Sequence, residues 1–186
     1  MTTPEVPDFV ISRQFAAPPE RVYDAWADPS KMAQWSGPKG SSVEILQGSQ
    51  AIGQTTVART AVPNGPEMFS LCLWRELTPH SRIVWEQSFC TREGLKCAPP
   101  FFNDWPQTLL TEVSLEPRDE GTFLTLKWTP IEYTEAALAM FVKQMASMTG
   151  GWGGSFDKLD EWLAARGGPA GSTSAQSHAD VADTPI

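Results

Sequence analysis

The last third of the chain carries apolar side chains at the spacing of a helix. They recur every three or four residues and fall on one stripe, whereas the opposite positions are rich in Lys, Asp and Glu. The members of the stripe are Ala137, Phe141, Met145, Met148, Trp152, Phe156, Leu159 and Leu163. The pattern predicts an amphipathic helix from Thr134 to Gly167. Because Gly150, Gly151, Gly153 and Gly154 surround Trp152, we expect this helix to bend or to pack closely there.

Upstream of this helix the period changes to the alternation that is typical of strands. A first strand at Phe9–Phe15 is followed by two short helical segments that begin near Pro19 and Pro29. Turn residues separate six further strand candidates, and the short connections favour an antiparallel meander. These candidates are Ser42–Gln47, Gln54–Thr60, Glu67–Leu77, Arg82–Phe89, Thr108–Glu116 and Thr122–Thr129.

The order of elements predicts an α+β fold of the helix-grip kind. A curved antiparallel sheet of six or seven strands would wrap around the long C-terminal helix, with two short helices after the first strand. We assign the domain to residues 8–166, and expect a flexible N-terminus over residues 1–7. Residues 167–186 are poor in large apolar side chains, which predicts a disordered tail.

Composition and charge narrow the function classes. The chain has 186 residues and a net charge of -8, and it shows no cluster of Lys and Arg, so we expect no nucleic-acid partner. No apolar run approaches the ~20 residues that cross a bilayer, and the N-terminus lacks a signal-peptide layout, so we expect no membrane insertion and a cytoplasmic location. Cys72, Cys90 and Cys97 lack paired spacing, which predicts reduced thiols and neither a metal site nor another cofactor.

The space between sheet and helix is expected to be lined by aromatic and methionine side chains. The chain has eight tryptophans, and such linings suit apolar ligands, although the same residues also fill ordinary cores. The long segment from Thr91 to Pro106 adds aromatic residues that form either a binding loop or a cap on the core. The predicted cavity residues are Trp35, Phe69, Trp74, Trp85, Phe102, Trp105, Phe141, Met145, Met148 and Trp152.

Few residues offer catalytic chemistry. The histidines, His80 and His178, fall in a turn and in the tail, so no nucleophilic triad is predicted. Arg13, Glu86 and Glu112 are the candidates for acid–base work in the cavity. Arg13 is either a ligand contact or part of a structural ion pair, and the two glutamates face either the cavity or solvent.

Several stretches together resemble a known family. They cover roughly Phe9 to Ala165 and comprise Arg13–Trp26, Asp28-Pro29, Trp35, Gly37-Pro38, Glu76–Pro79, Gly121-Thr122, and Gly151-Trp152 with Leu159. In these positions the chain resembles the family related to the activator of Hsp90 ATPase, within the START-like, Bet v 1-like superfamily of helix-grip folds. Ser36 departs from the pattern, since many relatives carry a second tryptophan beside Trp35.

The resemblance implies a deep cavity between the sheet and the last helix. Our first hypothesis is therefore a protein that binds a small hydrophobic or aromatic molecule there. The alternative is a cyclase or dehydratase that uses the same cavity, with a buried glutamate or Arg13 moving protons. A third hypothesis is a co-chaperone that binds Hsp90.

Overall fold

The computed structural model describes residues 6–119 and 121–166. These form a seven-stranded antiparallel sheet and three helices. The strands are β1 (Phe9–Phe15), β2 (Ser42–Gly48), β3 (Thr55–Ala61), β4 (Met68–Thr78), β5 (Arg82–Cys90), β6 (Thr108–Arg118) and β7 (Gly121–Glu132). The helices are α1 (Pro19–Ala27), α2 (Pro29–Trp35) and α3 (Glu135–Ala165). The predicted α+β helix-grip fold is confirmed.

Strands β2 to β7 form a continuous meander. Each strand pairs with its neighbour in sequence, and β1 completes the sheet by pairing with β7, giving the order β1-β7-β6-β5-β4-β3-β2. The alternation along each strand sends one set of side chains towards α3 and the other set outwards. In β5, for example, Ile83 and Trp85 are fully buried on the inner face, whereas Glu86 faces outwards and pairs with Arg75.

The two short helices after β1 begin at residues that favour a helix start. Pro19 opens α1, where its missing N–H costs nothing, and Val22, Ala25 and Trp26 are buried against the sheet. Asp28 caps α2, because its carboxylate accepts from the backbone N–H of Ser30 at 2.9 Å. Helix α1 packs on β6 and β7, and α2 packs on β2 and α3.

Helix α3 crosses the inner face of the sheet and closely matches its sequence prediction. Thr134 is its N-cap, and the buried face includes most of the predicted apolar stripe. The helix continues without a break through the glycines. The predicted close packing is wrong for Gly150, Gly151 and Gly153, since a Cβ atom at any of them would meet no heavy atom within 4 Å apart from its chain neighbours and the backbone of its own helix. A Cβ on Gly154 would lie 3.8 Å from the Lys39 backbone nitrogen, which is an ordinary contact.

Polar contacts fix the C-terminal half of α3 against the rest of the domain. Ser155 donates to the Gly37 carbonyl at 3.1 Å, and Lys158 donates to the Ser36 carbonyl at 2.8 Å. On the other side, Arg13 of β1 pairs with Asp157 at 2.7 Å and with Asp160 at 3.3 Å. The predicted tail over residues 167–186 and most of the predicted flexible N-terminus lie outside the described residues.

Candidate functional site

A cavity of about 460 Å³ lies between the inner face of the sheet and α3, and it is partly open to solvent. Strands β2 to β5 and β7 form its floor, and α2, α3 and the loop between β5 and β6 form its walls. The lining is mostly apolar and aromatic. This is the size and character of sites that hold small organic molecules.

Seven of the ten predicted cavity residues line the cavity. They come from β4, β5, the β5–β6 loop and α3. These residues are Phe69, Trp74, Trp85, Phe102, Trp105, Met148 and Trp152.

The other three predicted cavity residues, Trp35, Phe141 and Met145, do not line the cavity and belong to the core. Trp35 is fully buried, and its indole N–H donates to the Ala25 carbonyl at 2.9 Å. Phe141 is fully buried behind Trp105, with ring centroids 5.8 Å apart, and Met145 packs against the core. Helical spacing identifies the buried stripe, but the cavity occupies only part of the space beneath it.

Trp152 marks the boundary between cavity and core. Its indole stacks on Trp26 with centroids 6.0 Å apart and meets Trp128 edge-on at 5.5 Å. Gly151, next to it, also lines the cavity, and open space lies where its side chain would be. Glycine at this position therefore preserves cavity volume and does not serve close packing.

The aromatic residues of the β5–β6 loop extend the cavity wall in a chain of ring contacts. Phe89 meets Phe101 at 5.8 Å, Phe101 meets Phe102 at 4.9 Å, and Phe102 stacks on Trp105 at 5.3 Å. Phe101 is half exposed, so the chain runs from the core to the cavity edge. The loop is therefore part of the cavity wall, and through Trp105 it also contacts the core residue Phe141.

The floor of the cavity carries a row of neutral polar side chains. Thr56 of β3, Cys72 of β4 and Gln87 of β5 lie directly opposite one another across the three strands, and all three line the cavity. Alternation within each strand was visible in the sequence. The cross-strand register that aligns the three residues is visible only in the folded sheet.

The Cys72 thiol is not a nucleophile in this setting. Burial raises its pKa to about 12, with a further increase from Cys90 and a smaller opposing effect of the hydrogen bond with Thr56. The accessible part of the Cys72 side chain faces the cavity, whose lining is mostly apolar. The thiol is therefore protonated at neutral pH and contributes no charge.

The three candidate catalytic residues lie outside the cavity lining. Arg13 forms a structural ion pair with Asp157 and Asp160 of α3. Glu86 lies on the outer face of the sheet, where it pairs with Arg75. Glu112 is also on the outer face. The expectation that they supply acid–base groups to the cavity is wrong, because the alternation of β5 and β6 turns both glutamates away from α3.

Glu112 instead holds the centre of an outer-face ion-pair network. Its carboxylate contacts Lys127 at 2.7 Å and also accepts from Arg82. Burial alone would raise the pKa of this carboxyl, but the hydrogen bonds from Lys127 and Arg82 outweigh that effect and hold the pKa below its ordinary value.

Every side chain that lines the cavity within the described segments is uncharged. Across those same segments, His, Cys, Asp and Glu side chains do not gather in groups of three that could hold a metal ion. None of the helices described combines the length and apolarity that a bilayer crossing requires. The chemistry available at the cavity is thus apolar contact, aromatic stacking and neutral hydrogen bonding.

Comparison with solved structures finds the same fold in bacterial proteins. A crystal structure from Mycobacterium smegmatis is 18% identical, with a TM-score of 0.70 over 85% of this chain and 91% of that one. A solution structure from Arthrobacter aurescens is 20% identical, with a TM-score of 0.70 over 97% of both chains. The AHSA1 protein of Silicibacter pomeroyi is 20% identical, with a TM-score of 0.63 over 86% of this chain and 99% of that one.

No curated protein is significantly similar to this chain in sequence. The profile of one family, described as activator of Hsp90 ATPase homolog 1-like protein, matches residues 16–164. That match spans α1 to α3 and includes every described residue of the cavity lining. The chain therefore belongs to the activator of Hsp90 ATPase homolog 1-like family.

Proposed function

We propose that the protein binds a small hydrophobic or aromatic molecule in the cavity between its sheet and α3. The observation that carries this proposal is the cavity of about 460 Å³ with an uncharged, aromatic and methionine-rich lining. A space of this size in a packed domain leaves lining atoms without contacts, and a ligand would restore them.

The identity of residue 36 supports the same proposal. Ser36 lines the cavity and is itself almost fully buried. The small side chain leaves volume that an indole would fill. The serine at this position therefore adds room for a ligand.

The described residues give less support to the cyclase or dehydratase alternative. That chemistry needs a group that gives or takes a proton within hydrogen-bonding distance of the substrate. Arg13, Glu86 and Glu112 are all engaged in ion pairs away from the cavity lining.

Binding to Hsp90 stays a prediction, as does the absence of a nucleic-acid partner. We place the protein in the cytoplasm as part of the proposal, and the support is that Cys72, Cys90 and Cys97 are all unpaired.

Two neighbouring glycines provide a test of the proposal. In Gly151→Leu the new side chain enters the cavity, whereas in Gly150→Leu it does not, because Gly150 is not part of the lining. Both positions have open space at Cβ, and both changes improve helix propensity, so folding should be preserved in each.

The readout is the fluorescence increase of N-phenyl-1-naphthylamine, an uncharged aromatic dye. We expect saturable binding to the wild type and to Gly150→Leu, and affinity weaker by roughly tenfold or more in Gly151→Leu, the effect of overfilling a packed site. Absence of saturable binding to the wild type, or equal affinity in all three proteins, would contradict the proposal.

A further inference from the structure

The orientation of one amide group in the cavity is determined by its neighbour. The Nε1–H of Trp85 donates to Oε1 of Gln87, with the two atoms 3.3 Å apart. Because an indole nitrogen can only donate, the partner on Gln87 must be the amide oxygen. The Nε2 nitrogen of Gln87 is therefore directed away from Trp85.

That Nε2 nitrogen has hydrogen-bonding capacity to spare. Among the described residues this nitrogen has no hydrogen-bond partner, and it is accessible to solvent. Gln87 lines the cavity, so the accessible nitrogen presents its two N–H donors to the cavity. An apolar ligand that covered these donors would leave them unsatisfied, at a cost comparable to a lost hydrogen bond.

The rest of the polar row cannot satisfy these donors as well as a ligand could. Cys72 lies directly opposite Gln87, and a thiol sulfur is a weak acceptor. Thr56, opposite Cys72, already accepts from the Trp74 indole at 3.2 Å. A carbonyl oxygen is a stronger acceptor than either of these groups.

The absence of charge from the described lining limits what else the ligand carries. A carboxylate or an ammonium group would lose its hydration on entering and find no counter-charge. An uncharged group with a strong acceptor oxygen avoids that cost, and the aromatic walls formed by Trp85, Phe102 and Trp152 suit a planar ring.

We propose, on the basis of the function proposed above, that the ligand is an uncharged aromatic carbonyl compound whose oxygen accepts a hydrogen bond from Nε2 of Gln87. Its ring lies against the aromatic wall, and its carbonyl points to the polar row on β3, β4 and β5. Gln87 is thus the residue that distinguishes a carbonyl compound from a plain hydrocarbon.

Three ligands of one shape provide the test. They are 2-acetylnaphthalene, 2-ethylnaphthalene and 2-naphthoate, which differ in carrying a ketone, no polar group or a carboxylate. Each is titrated as a competitor of bound N-phenyl-1-naphthylamine. We expect the ketone and the hydrocarbon to displace the dye, and the carboxylate to bind about tenfold or more weakly, because its charge is not compensated.

The decisive variant is Gln87→Met, which keeps the side-chain length and removes the donors. It should weaken 2-acetylnaphthalene about fivefold, the typical effect of one hydrogen bond, and leave 2-ethylnaphthalene within about twofold of wild type. Glu86→Gln is the control, because its side chain lies on the outer face of the same strand. It should change neither affinity.

A second measurement does not depend on any variant. The carbonyl stretch of 2-acetylnaphthalene bound to the wild type should lie at a lower frequency than in cyclohexane, as for a carbonyl that accepts a hydrogen bond. An unshifted stretch, an equal effect of Gln87→Met on both neutral ligands, or tight binding of 2-naphthoate would overturn the inference and leave the proposed function standing. Failure of both neutral ligands to displace the dye would contradict the proposed function, and this inference with it.

Discussion

Trp26 is the residue on which the aromatic core converges. Its ring is 4.6 Å from that of Trp35, 6.1 Å from that of Trp85 and 6.0 Å from that of Trp152, by centroid. Two of these neighbours, Trp85 and Trp152, also line the cavity, whereas Trp35 lies behind Trp26 and does not. Some tryptophans of this cluster therefore only support the fold, whereas others also line the cavity.

Trp35→Phe should affect stability but not ligand binding. The change leaves the buried Ala25 carbonyl without the indole donor and removes part of a fully buried side chain. We expect the free energy of unfolding to fall by about 1–3 kcal/mol, measured by urea denaturation. The affinity for N-phenyl-1-naphthylamine should stay at the wild-type value. Lost dye binding with unchanged stability would show that Trp35 belongs to the site.

The three cysteines should differ sharply in reactivity. Burial raises the pKa of Cys72 to about 12 and that of Cys90 to about 11, whereas Cys97 is exposed. Because only the thiolate attacks, we expect one thiol per chain to react rapidly with a disulfide reagent near neutral pH. All three should react in denaturant. Cys97→Ser should abolish the fast phase, and a fast phase that persists in this variant would contradict the assignment.

At the scale of elements, sequence periodicity predicted the position of each strand and helix well. The first strand was predicted at Phe9–Phe15 and is observed there, and the predicted helix from Thr134 to Gly167 corresponds to α3 at Glu135–Ala165. Periodicity is a property of one segment at a time, which is why these boundaries were accessible. The grouping of Thr56, Cys72 and Gln87 depends on pairing between strands, which no single segment encodes.

The same limit explains the incorrect site residues. The alternation of β5 allows Glu86 on either face, and only the position of α3 shows which face is inside. For Phe141, helical spacing gives the correct side of α3 but says nothing about how far the cavity extends along it. How far the cavity extends depends on the tertiary packing of the whole domain, which the spacing along one helix does not encode.

The start of α3 provides a prediction at this scale. Thr134 accepts from the backbone N–H of Ala137 at 3.2 Å and so caps the helix. Thr134→Ala should lower the free energy of unfolding by about 1 kcal/mol, measured by urea denaturation. Thr149→Ala is the matched control, because Thr149 lies within the helix and donates to the Met145 carbonyl. It should be neutral or slightly stabilising, since alanine has the higher helix propensity. Equal losses in the two variants would contradict the capping role.

On the scale of the whole molecule, the sheet separates charge from the cavity. Where it lines the cavity, the inner face is uncharged, and the ion pair of Arg13 with Asp157 and Asp160 of α3 lies outside the lining. The outer face carries ion pairs that join neighbouring strands, such as Glu86 with Arg75 and Glu112 with Lys127 and Arg82. A protein with a net charge of -8 can therefore keep an apolar cavity, because the pairing of its strand carboxylates takes place on the opposite side of the sheet.

The contribution of the outer-face ion pairs of Glu112 to stability should depend on pH in the acid range. Hydrogen bonds from Lys127 and Arg82 outweigh the effect of burial and lower the folded-state pKa below the ordinary value of 4.5. A carboxyl with a lowered folded-state pKa stabilises the protein fully above its unfolded-state pKa, and this contribution is lost as the pH falls through the folded-state value. At neutral pH, Glu112→Gln should reduce the free energy of unfolding by about 1–3 kcal/mol, between the values for exposed and buried pairs.

The difference between wild type and Glu112→Gln should then shrink as the pH is lowered below 4.5, because only the wild-type side chain titrates. Urea denaturation at a series of pH values between about 7 and about 3 measures it. Glu116→Gln on the same strand is the control: its carboxylate is exposed and pairs with Arg118, so the loss should stay below about 1 kcal/mol. A Glu112→Gln difference that is constant across this range would show that the outer-face network does not hold the ionised carboxylate in the folded state. In that case the separation of charge by the sheet would have no energetic role.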